Sequence, residues 1–209
     1  GIEVKLANNG DDCVVMMERS DEGRFMHELD SWFLHKGFRM VAEAPVYNLC
    51  EIEFCQMHPI EMDDGTCMMV RNIPVALRKD TLSSLDLSSR TALLSWFTAV
   101  GLGGMALTGG IPIIQNLYRT FIRLGCGKTS KISEEIHRNS GMWLMSNNMD
   151  KEFAEPSANV RMQVFLAWGI LPDEQEVLEK HLDEYEFDHT ISAVDSHINH
   201  QLVFHALSR

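Results

Sequence analysis

Residues 2–17, Ile-Glu-Val-Lys-Leu-Ala-Asn-Asn-Gly-Asp-Asp-Cys-Val-Val-Met-Met, constrain this chain more than any other stretch. Ile2, Val4 and Leu6 alternate with Glu3 and Lys5, the period-two pattern of a strand with one buried face. Asn9-Gly10 supplies residues that tolerate positive φ, the usual chemistry of a short hairpin. Cys13 to Met17 is an uninterrupted apolar run, which predicts a return strand buried on both faces. The segment therefore predicts a hairpin that projects Asp11 and Asp12 from its tip with hydrophobic walls behind them.

Two carboxylates forced together repel each other. A divalent cation relieves that repulsion, and a hard ion such as Mg²⁺ (or Mn²⁺) prefers carboxylate oxygen. Paired carboxylates holding metal suit phosphoryl and nucleotidyl transfer, in which two ions clamp the attacking and leaving oxygens of an in-line displacement. The plainer alternative is an Asx-rich turn on a solvated hairpin.

Asn8-Asn9-Gly10-Asp11-Asp12-Cys13-Val14-Val15 resembles motif C of viral RNA-dependent RNA polymerases, especially those of the tombusvirus-like plus-strand RNA viruses. Further segments are similar to that group in the same order. Trp32-Phe33…Lys36-Gly37-Phe38-Arg39-Met40 with Glu43-Ala44-Pro45-Val46 resembles its motif D, and Ile52-Glu53-Phe54-Cys55-Gln56 its motif E. Met69-Val70-Arg71-Asn72 and Gly101-Leu102-Gly103-Gly104…Thr108-Gly109-Gly110-Ile111-Pro112 look like the start of its thumb. The resemblance implies an α+β chain: the C-terminal part of a right-hand polymerase palm over residues 1–73, with two β-hairpins and a helix, then a mainly α-helical thumb over residues 74–209.

It further implies template-directed nucleotidyl transfer from nucleoside triphosphates to an RNA 3′ end. Asp11 and Asp12 would be catalytic and metal-ligating, with Asp11 the stronger ligand candidate. Asn9 and Gly10 would shape the turn at the RNA, and Phe54, Cys55 and Gln56 would lie near the nascent strand. Where related sequences often carry a lysine after the Gly-Phe-x-Met run, this chain has Val41, leaving Arg39 and Lys36 as nearby substitutes. Arg39 could stabilise charge on the leaving pyrophosphate, but it is a poor proton donor; alternatively both cations simply cap the helix end. The implied partners are template and nascent RNA, nucleoside triphosphates, and the fingers and remaining palm of the same replicase, which would carry any membrane association. The implied location is the host cytoplasm, at membrane-associated replication complexes. Motifs A, B and F would lie upstream of the first residue, so the chain alone is expected to be inactive, and Gly1 in place of methionine agrees with an internal start.

The net charge of −12 runs against a nucleic-acid enzyme, whose footprint is ordinarily basic. A basic channel on the fingers would resolve this, and much of the acid lies late, in Asp173 to Asp188. Composition is otherwise globular, with 45% hydrophobic and 23% charged residues. Five cysteines without a signal peptide suggest a reducing compartment, and the spacing of Cys50, Cys55, His58 and Cys67 fits no common zinc pattern.

Along the chain, Phe25, Leu29, Trp32 and Phe33 predict a helix ending near Gly37. Asn48–Met57 and Cys67–Asn72 predict a second hairpin-like pair, joined through a solvated Asp63-Asp64-Gly65 turn. Asp86 to Ser89 predicts a helix N-terminus before Ala92, Leu93, Trp96 and Phe97. No charge falls between Arg90 and Arg119, which is length enough for a membrane span. The clustered Gly101, Gly103, Gly104, Gly109, Gly110 and Pro112 instead predict a tight loop between buried helices.

Helices are expected over Ile132–Met145, Asn159–Trp168 and Pro172–Glu184. Gly101–Ala106 and Gly125–Thr129 match nucleotide-binding loops only loosely, because a helix precedes the first and the second lacks its opening glycine. A permuted polymerase using Asp80…Asp86 and Ser140-Gly141, and a metal site at His197, His200 and His205, are weaker readings. Outside polymerases, the alternatives are a non-catalytic helical module that binds RNA or protein, and a metal-dependent nuclease.

Overall fold

The computed structural model describes residues 1–83, 85, 87–126 and 146–187. Two small antiparallel sheets and seven α-helices make up these residues, an α+β arrangement.

The first hairpin pairs β1 (Val4–Asn9) with β2 (Asp12–Met17), in register from Val4 opposite Met17 to Asn9 opposite Asp12. Gly10 and Asp11 form the two-residue turn, and of the residues around it only Gly10 has positive φ, at 68°. Glycine at the first of two central positions matches the twist of the flanking strands. The expected double burial of β2 does not occur. Cys13 and Met16 are exposed, Val14, Val15 and Met17 are half-buried, and Leu6 across the sheet is 62% exposed. The apolar run remains a strand because β-branched residues suit a pleated surface, but no element of the described chain covers it.

The single helix expected up to Gly37 is two short ones, α1 (Glu22–Met26) and α2 (Leu29–His35), broken at His27 and Glu28. Neither contains a buried residue, and Trp32 is 58% exposed. Without a core to hold its apolar stripe, a segment of this length lacks the tertiary packing from which helices draw most of their stability. Tyr47 ties the following extended segment back: its hydroxyl donates to Glu22 Oε2 at 3.0 Å, and the Arg19 guanidinium lies 4.3 Å from its ring centre.

The core begins at Cys50, the first buried residue of the chain. The strand expected within Asn48–Met57 starts only at its end. A single 3-10 turn spans Leu49–Glu51, and Cys55 and Gln56 form a tight turn closed by reciprocal backbone bonds between Phe54 and Met57 at 2.9 and 3.0 Å. The second sheet pairs β3 (Met57–Glu61) with β4 (Cys67–Arg71). The loop between them turns at Gly65, where φ is 78°. Asp64 accepts bonds there from the Thr66 amide and hydroxyl, and these hold its carboxyl below the usual range.

Helix α3 (Ile73–Lys79) follows, its first turn capped by Asn72. Helix α4 (Arg90–Thr108) starts at Ser89, whose hydroxyl accepts from the Ala92 amide at 3.1 Å. It runs straight through Gly101, Gly103 and Gly104, so these glycines do not form the expected loop. They allow close approach: a Cβ on Gly101 would fall 2.7 Å from the Ile122 amide of α5 (Ile114–Leu124), and one on Gly104 would collide with the Tyr118 ring. The chain reverses only at Gly109–Ile113. Helix α4 is long and apolar enough to cross a membrane, but 67% of its most apolar window is buried in the protein. Trp96, Phe97 and Phe121 pack with ring centres 5.4–5.8 Å apart at the centre of the core.

Helices α6 (Ala158–Trp168) and α7 (Pro172–Glu184) close the molecule. Ser157 caps the first, and Pro172 opens the second. Arg161 forms a two-pronged pair with Glu179 at 3.0 Å on both nitrogens, and Arg119 pairs with Asp183. The late acidic residues are thus partly spent on internal ion pairs. The Ile132–Met145 helix, Ser140-Gly141, Asp86, most of the Gly125–Thr129 loop and the three late histidines lie outside the described residues.

Candidate active-site hairpin

Asp11 occupies the second position of the β1–β2 turn, and Asp12 opens β2 opposite Asn9. Both carboxylates are exposed, and neither makes a hydrogen bond or ion pair among the described residues. The backbone around them is braced from within: Asn8 Nδ2 donates to the carbonyls of Gly10 and Asp12, each at 3.3 Å. Short side chains on a braced turn present two hard, unspent anionic donors to solvent, a donor set that suits Mg²⁺ or Mn²⁺. Among the described residues no three His, Cys, Asp or Glu side chains converge. Completing a metal site here therefore requires donors beyond this pair.

Asn9 Nδ2 donates to Cys55 Sγ at 3.2 Å, across 46 residues of sequence. Two segments that the sequence singles out separately thus meet at one place. Cys55 and Gln56 both have positive φ, 54° and 61°, without a glycine or asparagine between them. Nothing in the sequence signals that turn, since its usual residues are absent. Phe54 and Cys55 are half-buried and Gln56 is exposed. The Gln56 carbonyl accepts from the Asn72 amide at 2.9 Å, which couples the turn to the start of α3.

The two candidate cations are not held near the carboxylates by any described contact. Lys36 ends α2, with its ammonium 5.8 Å from the Trp32 ring centre. Arg39 lies on the extended, exposed segment after it and forms no ion pair among the described residues. Neither side chain bonds the last carbonyls of α2 in a described contact, and the helix closes instead through its backbone, the Lys36 amide bonding the Phe33 carbonyl.

The other sequence candidates take structural roles. His58 is buried, with Nδ1 2.9 Å from the Cys50 carbonyl and its ring edge-on to Trp168. The five cysteines are all free. Burial pushes the Cys50 thiol up, which favours the inert thiol over a metal-binding thiolate. Asp80, an acid the permuted arrangement would need, is taken: Arg71 Nη1 bonds both its oxygens at 2.6 and 2.7 Å, and the Tyr118 hydroxyl donates to it at 2.6 Å. Sequence reasoning missed this part-buried triad, because the three residues come from β4, the end of α3 and α5.

An acidic β-turn between two apolar strands thus meets a second turn ahead of a helical core. The family described as viral RNA dependent RNA polymerase matches residues 1–190. The RNA-directed RNA polymerase of Oat chlorotic stunt virus (isolate United Kingdom) is 35% identical over 206 residues, covering 94% of this chain and 27% of that protein. That of Turnip crinkle virus is 36% identical over 190 residues, 89% of this chain and 24% of that protein. That of Tobacco necrosis virus (strain A) is 35% identical over 187 residues, 90% and 26%. No solved structure matches the chain. The chain belongs to the viral RNA-dependent RNA polymerase family and resembles its tombusvirus-like members. It spans about a quarter of the length of the curated relatives it matches.

Proposed function

We propose that this chain supplies the end of the palm (residues 1–73) and the thumb (residues 74–209) of an RNA-directed RNA polymerase. The enzyme extends an RNA 3′ end on an RNA template with nucleoside triphosphates. The observation that carries this reading is the pair of carboxylates, Asp11 and Asp12, unpartnered among the described residues, on a braced turn in a chain of this family.

Asp11 and Asp12 would hold the divalent ions, with Asp11 at the apex of the turn the principal ligand. When bound, Mg²⁺ or Mn²⁺ favours deprotonation of the attacking 3′-hydroxyl and offsets charge on the leaving pyrophosphate. Gly10 lets the turn close tightly, and Asn9 fixes its base. Phe54, Cys55 and Gln56 form the edge along which the nascent strand would lie. Arg39, exposed and without an ion pair among the described residues, would balance charge on a leaving phosphate without donating a proton. RNA, nucleoside triphosphates and the fingers of the same replicase are the expected partners. The site of action would be membrane-associated replication complexes in the host cytoplasm, reached through other parts of the replicase.

The test is RNA synthesis by the full-length polymerase that contains this chain, compared with its Asp11→Ala variant. Loss of at least about 10²–10³-fold in kcat is expected, the scale for removing a group that stabilises transition-state charge. Asp11 is exposed, so Tm should stay where it is. Undiminished synthesis would overturn the assignment.

A further inference from the structure

The catalytic hairpin is almost free of the rest of the protein. None of residues 1–17 is buried. Two hydrogen bonds leave it among the described residues: Arg24 to the Gly1 carbonyl, at the far end, and Asn9 to Cys55, at the turn. A two-stranded hairpin is marginal by itself, so what fixes its tip fixes the carboxylates.

The other side of that contact is rigid. Cys55 sits in the Phe54–Met57 turn, whose backbone bonds pass directly into β3, where Ile60 is fully buried, and through Gln56 to Asn72 at the head of α3. A turn of this shape is least strained with Asn-Gly, whereas here both central residues hold positive φ with full side chains. Strain of this kind persists where surrounding structure enforces it and gathers at functional sites. The side chain that the strained turn displays is the one Asn9 touches, and Asn9 is the backbone partner of Asp12.

We infer that Cys55 is a positioning residue: its sulfur, through the Asn9 amide, sets the place of the Gly10–Asp11 turn relative to the core-anchored second hairpin. This rests on the polymerase reading above and goes beyond a role for Cys55 at the RNA. The sulfur acts as an acceptor, and no covalent step is involved.

A double-mutant cycle in the full-length polymerase tests it, with wild type, Cys55→Ala, Asn9→Ala and the double variant. The readouts are kcat, KM for nucleoside triphosphate, RNA affinity and the Mg²⁺ concentration for half-maximal synthesis. Each single variant should lower kcat about tenfold, since small misplacements of reacting groups carry large rate losses. The double variant should be no worse than either single one, the signature of two residues acting as a unit. Half-maximal Mg²⁺ should rise in all three, by a larger factor than RNA affinity falls. Cys55→Ser, whose hydroxyl also accepts from Asn9, should recover most of the rate, and it keeps the test available if alanine unsettles the turn.

Losses that multiply in the double variant overturn the inference. So does weaker RNA binding with kcat and half-maximal Mg²⁺ both unchanged, which would leave Cys55 a contact to RNA and nothing more. Asp11→Ala in the same series separates the two claims. Synthesis that survives it removes the site assignment and this inference together. Synthesis abolished by it, with multiplying Cys55 and Asn9 losses, removes this inference alone.

Discussion

Residues 1–49 and the described residues between 50 and 187 are built on opposite terms. The first region has hairpin, helices and apolar residues, yet holds no buried residue, and Leu6, Trp32 and Phe38 are each more than half exposed. The second has a continuous core running from Cys50 and the β3–β4 sheet through α3, α4 and α5 to α6. Both regions have similar local patterning, so the pattern alone does not make a folded unit. What differs is whether the complementary face belongs to the described chain. The first region carries the candidate chemistry on a surface that no described element covers, and the second carries the core.

The largest expected effect breaks that comparison most directly. Phe121 packs against Trp96 and Phe97 at the centre of the core, so Phe121→Ala should lower unfolding free energy by about 3–5 kcal/mol in denaturant titration. Leu6→Ala should change it by no more than about 0.5 kcal/mol in the isolated chain, because the side chain already meets solvent. A comparable loss from both would mean that the first region has a core of its own.

A smaller effect sharpens the account of α4. A methyl group at Gly104 would enter the Tyr118 ring, which is buried and tied by its hydroxyl to Asp80 and so has little room to retreat. Gly104→Ala should therefore destabilise by about 1–3 kcal/mol despite alanine's better helix propensity. Gly10→Ala meets no atom within 4 Å and would be strained only by its positive φ. A stabilising Gly104→Ala would show that the α4–α5 contact is looser than it looks.

The contrast also separates what sequence could reveal from what it could not. The Gly10–Asp11 turn was legible because Asn-Gly-Asp-Asp chemistry is local: glycine supplies the φ, and flanking alternation supplies the strands. Helix starts at Ser89 and Pro172 were legible for the same reason. The burial of Cys13–Met17 was not, because an apolar face states a need for cover without saying which chain provides it. Residues 25–37 show the same failure, with helical spacing present and no core to keep one helix intact. Gly101, Gly103 and Gly104 misled in the opposite direction. Their composition suggests a loop, but the helix partner that makes small residues necessary comes later in sequence, at Tyr118 and Ile122. The Cys55–Gln56 turn carries no signal at all, and its meeting with Asn9 is a purely tertiary event.

The subtlest test lies in the triad that joins the second hairpin to the helices. Tyr118 is fully enclosed and donates to Asp80, which also accepts from Arg71. Burial, and then the negative charge of Asp80, pushes the phenol well above its ordinary value of 10.0. Arg71 keeps its charge in this window: desolvation opposes it, but its bond and attraction to Asp80 outweigh that cost. In the unfolded chain the phenol therefore loses its proton at a lower pH than in the folded one. Above about pH 10 the unfolded state binds fewer protons, so stability falls as pH rises, by at most about 1.4 kcal/mol per pH unit for one group. Below that pH the contribution is fully present. Tyr185, raised by burial, adds a parallel slope of its own. Tyr118→Phe should consequently remove part of the alkaline slope of unfolding free energy and leave the Tyr185 part, at the cost of one hydrogen bond to Asp80 near neutrality. An unchanged slope would mean that Tyr118 reaches solvent before the core opens, and that the joint between the second hairpin and the helices is less firmly closed than its burial implies.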